Sequence, residues 1–160
     1  MYTTSTALSK ALDEQNAGRL YDASHRLIAA LLDPTFHAKQ AGRLNPLVIP
    51  DPTLQRVAQA VAIAGSPGEV VAGVREAFGV PGDTRAADRL LIELLEQSHL
   101  PAAGAIVAWR ELHAALVRRH VRPIAWSLAT AIDRHEDLED IAEMAEKLAR
   151  LIRRGREASP

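Results

Sequence analysis

Residues 101–134, PAAGAIVAWRELHAALVRRHVRPIAWSLATAIDR, decide the fold. Ile106, Trp109, Leu112, Leu116 and Val117 recur at short helical intervals, and after Pro123 the pattern resumes in Ile124, Leu128, Ala131 and Ile132. Such spacing gathers apolar side chains on one face of a helix. An interior proline removes a backbone donor and costs roughly 3 kcal/mol. The stretch therefore predicts a kinked arm, or two helices meeting near Arg122. A last helix is predicted from about Glu136 to Arg154, with Leu138, Ile141, Ala145, Leu148 and Ile152 as a narrow seam of alternating threes and fours. Its acids lie toward the start and its bases toward the end, which complements the helix dipole.

Upstream, the chain reads as a series of shorter helices. Residues 1–21 predict an N-terminal arm, partly helical or frayed. Asp22 is a plausible cap for a first core helix with Leu27, Ile28, Leu31 and Leu32 on one face. Pro34 should end it, with Thr35 capping a short second helix. Asn45–Pro52 is an extended, proline-rich connector, and Asp51-Pro52 is a strong start signal, with Asp as cap and Pro at the first helical position. The helix that follows carries Leu54, Val57, Ala58, Val61 and Ala62. Ser66-Pro67 starts another with Val70, Val71, Val74 and Phe78. Asp83 should cap a third, whose Leu90, Leu91, Leu94 and Leu95 look buried. The expected organisation is all-α with about seven helices: a compact helical head over 22–98, a helical arm or hairpin over 99–154, and a disordered tail over 155–160.

Composition supports this. The 160 residues include 29 Ala and 20 Leu, while aromatic residues make up only 4%. Ala and Leu are strong helix formers, and the core must be aliphatic. Cysteine is absent, which excludes disulfide scaffolds, thiol catalysis and thiolate zinc sites. The formal net charge is −1. That excludes a whole-molecule cationic field and predicts weak or no direct nucleic-acid binding, while leaving room for a local basic patch. No secretory signal and no apolar run of about 18 residues is visible, so a cytoplasmic chain without a membrane span is expected.

Two groups of motifs, in order and at matching intervals, resemble the N-terminal collar domain of DnaB-type replicative helicases over roughly residues 22–133. The first is Leu31-Leu32-Asp33-Pro34, then Leu44-Asn45-Pro46, then Asp51-Pro52 before TLQRVAQAV. The second is Leu94-Leu95-Glu96-Gln97, then Pro101-Ala102-Ala103, then WRELHAALVRRH from Trp109. The resemblance implies a non-catalytic head and helical hairpin. In that family hairpins from two subunits pair, and the collar docks primase and loading factors. The family's motor is a separate ATPase domain, and no G-x-x-x-x-G-K-[ST] occurs here. The chain would then be a collar-like adaptor or a fragment, active by interaction rather than by unwinding.

The partner-binding surface expected on this reading is Trp109, Leu112, Leu116, Arg118, Arg119 and Arg122, with self-association into a homodimer or higher oligomer and docking of primase or a helicase loader. No catalytic, cofactor-binding or metal-binding residue is assigned. His113 and His120 share nearly one helix face but lack a third ligand nearby. The run Asp133–Asp140 lacks the glycine and the spacing of a calcium loop. The alternative is a small DNA-binding regulator, with a helix-turn-helix over residues 70–95 presenting Thr84, Arg85 and Arg89 to a groove. A third reading, an unrelated helical enzyme or oligomer, has no nucleophile or carboxylate motif to support it.

Overall fold

The computed structural model describes residues 3–79, 82–98 and 101–157, with side chains from residue 13 onward. In chain order the helices are α1 (Thr3–Leu31), α2 (Pro34–Gln40), α3 (Pro52–Ile63), α4 (Pro67–Phe78), α5 (Arg85–Gln97), α6 (Ala102–Asp133) and α7 (Leu138–Glu157), with two short 3-10 turns between α2 and α3. The described residues contain no β-strand, as the composition predicts. The chain divides into two compact units at Leu112/His113. The first, the head, takes in α1 to α5 and the start of α6. The second holds the rest of α6 and α7.

Three head helices open by one device. Asp33 Oδ1 accepts from the Phe36 amide at 2.8 Å, Asp51 Oδ1 from the Thr53 and Leu54 amides at 2.8 Å each, and Ser66 Oγ from the Glu69 amide at 3.3 Å. Proline follows each cap, where its missing N–H removes a donor the helix cannot use. Glu69 returns the favour at the third site, its Oε2 accepting from the Gly65 amide at 2.7 Å. The cap of α2 is thus Asp33 rather than Thr35, and Pro34 opens α2. α1 ends one turn earlier, at Leu31.

The N-terminal arm and the first core helix are one helix. α1 runs unbroken from Thr3 to Leu31, and Asp22 lies inside it rather than capping it. From residue 23 onward it sinks into the head: Ala23, Leu27, Ile28, Ala29, Ala30 and Leu31 are buried. α1 packs on α3 and α5, where Leu54, Val57, Ala58 and Val61 of α3 and Ala87, Leu90, Leu91 and Leu94 of α5 are buried, and α4, which packs on the same two helices, buries Val74. Each buried aliphatic side chain of this size contributes roughly 1.5–3 kcal/mol relative to exposure. α3 and α4 approach so closely that a methyl added at Gly73 would lie 2.8 Å from the Ala60 Cβ. Leu95, expected in this core, is exposed on α5. Ala105, Ala108, Trp109 and Leu112 complete the head core from the first turns of α6.

Two polar groups are buried with the aliphatic residues. Ser24 Oγ donates back to the Leu20 carbonyl at 2.7 Å. His25 is 6% exposed, lies against Tyr21 at a ring separation of 4.5 Å, and leaves Nε2 without a partner. Desolvation holds its imidazole below the ordinary value, against the raising fields of Glu93, Asp22 and Asp51.

In the second unit, Pro123 neither ends nor divides α6, which continues through it for 32 residues. The helix closes in a Schellman turn. His135 takes φ 54°, the Glu136 amide donates to the Ala131 carbonyl and the His135 amide to the Ile132 carbonyl, each at 3.1 Å. Asp137 then caps α7, accepting from the Glu139 amide at 2.8 Å. α7 extends through Glu157, into the stretch expected to be a tail, and residues 158–160 lie outside the described residues.

A candidate interaction surface on the helical hairpin

α7 runs back along α6, and one close approach sets the register. A methyl added at Gly155 would lie 2.6 Å from Val117 Cγ2. These two residues are equidistant from residue 136, in the turn. Carried along both helices, the register pairs Val121 with Leu151, Ile124 with Leu148, Leu128 with Met144, and Ala131 with Ile141. All of these are half-buried or buried, and they fall at threes and fours on both helices. The hairpin is therefore an antiparallel seam of matched layers.

That register corrects the seam read from sequence. Ile141 and Leu148 do face inward, but Leu138, Ala145 and Ile152 do not: Leu138 is 82% exposed, and Ala145 and Ile152 are also exposed. The inward face is Ile141, Met144, Leu148, Leu151 and Gly155. Leu138, Ala142, Ala145, Ala149 and Ile152 form a second stripe at the same spacing, and every member is exposed. No residue of α7 is fully buried.

Charge on the hairpin is sorted by position. Residues 133–146, around the turn, hold seven acids and one arginine. Residues 113–132 and 147–156, away from the turn, hold Arg118, Arg119, Arg122, Lys147, Arg150, Arg153, Arg154 and Arg156, with no acid among them. The described ion pairs are Arg19 to Glu111 at 2.8 Å and Arg75 to Asp88 at 2.9 Å, both in the head. The hairpin thus has an acidic tip and a basic root, and the near-zero net charge conceals both.

The expected partner-binding residues separate into two sets. Trp109 is 4% exposed and Leu112 0%. Both belong to the head core, which withdraws them from any docking surface. Leu116 is half-buried, while Arg118, Arg119 and Arg122 are exposed. Trp126, outside the expected set, is 76% exposed. It shares a helix face with Arg122, four residues before it, and Arg119, seven before it. A shallow depression there is lined by Arg122, Pro123, Ala125, Trp126 and Ser127. Exposure of Trp126 follows from the register: it stands on the side of α6 opposite the seam of Val117, Val121, Ile124, Leu128 and Ala131.

The alternative DNA-reading residues sit at the start of α5. Arg85 and Arg89 are exposed, but the Thr84 hydroxyl donates to Asp88 Oδ2 at 2.9 Å, and Arg75 Nε holds the other oxygen at 2.9 Å. These bonds, that from Arg75 first, keep the Asp88 carboxyl below its usual range. The remaining exposed residues of α5 are Ala86, Ile92, Glu93, Leu95 and Glu96, and such acids on an exposed face oppose a phosphate backbone. Among the described residues, no three His, Asp or Glu side chains are placed to hold a metal ion. His99 lies outside the described residues. No described helix is long and apolar enough to cross a membrane.

Comparison of the chain with protein-family models, with curated proteins and with solved structures returned no match.

Proposed function

We propose that this chain is a non-catalytic interaction module, a collar-like adaptor of the DNA replication machinery, which self-associates through its hairpin and docks primase or a loading factor. The observation that carries the self-associating part is the exposed stripe on α7. Leu138 and Ile152 are equidistant from Ala145, so two α7 helices laid antiparallel about Ala145 bring each Leu138 against the other copy's Ile152. The same arrangement lays the acidic tip of one hairpin beside the basic root of the other. It covers an apolar face and sets the acidic start of one α7 beside the basic end of the other, which are the two features that make an interface specific, while Arg118, Arg119 and Arg122 of α6 stay outside that contact. The replication setting rests on the motif resemblance alone.

The test has two arms. Sedimentation equilibrium of the intact chain is expected to give a dimer or a higher even oligomer, and the double substitution Leu138→Glu and Ile152→Glu a monomer with unchanged helix content. A monomer at every concentration overturns self-association. Calorimetric titration with the helicase-binding domain of the host's own primase is expected to show saturable binding, and absence of heat and of a complex on gel filtration removes primase as the partner.

A further inference from the structure

We propose that the outward face of α6 around Trp126 binds single-stranded nucleic acid, with the indole as a stacking platform and Arg119 and Arg122 as phosphate contacts. This deepens the reading of the hairpin as an interaction surface by naming the occupant of one face, and it uses a face other than the α7 stripe.

The first observation is Trp126 itself. An indole 76% exposed in the middle of a long helix fills no core. Its neighbours on the helix surface are Arg119, Arg122, Pro123, Ala129, Thr130 and Asp133, none of them a bulky apolar residue that would cover the ring. The hydroxyls beside it are turned inward: Ser127 Oγ donates to the Pro123 carbonyl at 3.0 Å and Thr130 Oγ1 to the Trp126 carbonyl at 2.9 Å. What the face offers a ligand is therefore an aromatic plane and guanidinium groups.

The second observation is the positive field on the root side of Trp126, bounded on the tip side by Asp133, seven residues on along the same face, and by Glu146 at its level on α7. Twenty consecutive residues, 113–132, contain Arg118, Arg119, Arg122, His113 and His120 and no acid. None of these arginines forms an ion pair in the structure, so their donors remain available to phosphate oxygens. The arginines of α7 lie at matching levels, Arg153 with Arg119 and Arg150 with Arg122, and extend the positive region around the root. Guanidinium groups suit phosphate because their planar donors bind two oxygens together.

The two observations together select the occupant. An acidic protein surface would satisfy the arginines without using the ring face. A duplex presents phosphates but hides its base faces in the stack. A single strand presents both alternately, and arginine contacts beside an exposed aromatic are the combination by which such strands are held without strong sequence preference. The low net charge argued for weak or no nucleic-acid binding; the sorting of charge along the hairpin removes that argument, because the field at the root is set by the nearby residues.

The experiment uses tryptophan emission, since Trp109 is buried and Trp126 exposed. The intact chain is titrated at low salt with a labelled oligothymidylate, with a duplex of equal length, and with polyglutamate. The expected result is saturable quenching by the single strand, and loss of that quenching in Trp126→Phe. Arg119→Glu with Arg122→Glu should weaken binding at least tenfold, as read by anisotropy of the labelled strand. With two arginine contacts, the affinity should fall with salt at a log–log slope of about −1.4. No binding overturns the proposal. So does duplex binding of equal strength that Trp126→Phe leaves unchanged, and so does equal quenching by polyglutamate, which would assign the face to an acidic protein. Sedimentation of the same variants separates this from self-association, because Trp126→Phe is expected to leave the oligomer intact.

Discussion

The head and the hairpin are built from the same residue types and reach different ends. In the head, α1, α3 and α5 each bury a full face, and Leu27, Ile28, Leu54, Val57, Leu94 and Leu112 are almost wholly out of water. Among the described residues of the hairpin only Ala131 is buried, and α7 buries nothing completely. Two helices side by side can cover one stripe each. A third and fourth helix are needed to enclose them, as in a four-helix bundle. The head supplies its own enclosing helices; the hairpin has none within its unit. That difference leaves the hairpin's layers half-covered, and the self-association proposed above would act there.

The largest effect that sharpens the contrast is in the head. Leu94→Ala is expected to cost about 2–5 kcal/mol, because it removes a fully enclosed side chain and leaves a cavity. Leu148→Ala, in the half-exposed hairpin seam, should cost less than half of that. Chemical denaturation of both variants measures the ratio, and equal losses would erase the distinction.

A smaller effect is expected at the close approach of α3 and α4. Gly73→Ala pushes a methyl against Ala60 and should destabilise by about 1–3 kcal/mol. Gly155→Ala would set a methyl 2.6 and 2.9 Å from the two Cγ atoms of Val117 and 3.3 Å from its Cβ, a side chain stiff at χ1 in a helix, and should be relieved by local separation of the half-exposed hairpin, at a similar or smaller cost in thermal melts.

Next comes the pH dependence of the head. His25 is held neutral by burial, so its folded value lies below the ordinary 6.5. The stability it contributes is present above the unfolded value and is lost as pH falls through 6.5 toward the lower folded value. Denaturation midpoints should therefore drop between neutral and mildly acidic pH, and His25→Phe should flatten that part of the profile. An unchanged slope in the variant would remove His25 as the cause.

The smallest effect is at the hairpin turn. His135 holds a positive φ that glycine adopts without strain, so His135→Gly should raise stability by up to about 1 kcal/mol. A loss in the thermal midpoint would contradict the turn assignment.

The head was largely legible in the sequence, because its signals are local and redundant. Asp51-Pro52 and Ser66-Pro67 announce their helices before any tertiary contact is considered, and Leu54, Val57, Ala58 and Val61 repeat on one face. Two readings gave way where local signals were weak or overridden. Of the two outcomes Pro123 allowed, a kinked arm or two helices, the second is excluded because α6 runs through it as one helix, with the seam residues on either side, Val121 and Ile124, facing α7 in one continuous register. Asp22 looks like a cap, but the helix had already begun at Thr3.

The surface was harder to read, for a geometric reason. α7 carries two interleaved apolar stripes, Ile141–Met144–Leu148–Leu151 and Leu138–Ala142–Ala145–Ala149–Ile152. A reading from periodicity alone drew residues from both. Only the register fixed by Gly155 and Val117 tells which one faces α6. Trp109 and Trp126 show the same limit: both lie in α6, and one is core while the other is surface, because the helix passes from the head into the hairpin between them.

The central claim, that two copies meet antiparallel about Ala145, has a direct test, because the chain contains no cysteine. Ala145→Cys places one thiol on the expected two-fold axis. Under mild oxidation at micromolar concentration it should form a covalent dimer nearly completely, far faster than a control cysteine at the exposed head residue Ala38. A mixture of Ala142→Cys and Ala149→Cys chains should cross-link preferentially to each other. Cross-linking of Ala145→Cys no faster than the Ala38→Cys control would contradict the claim.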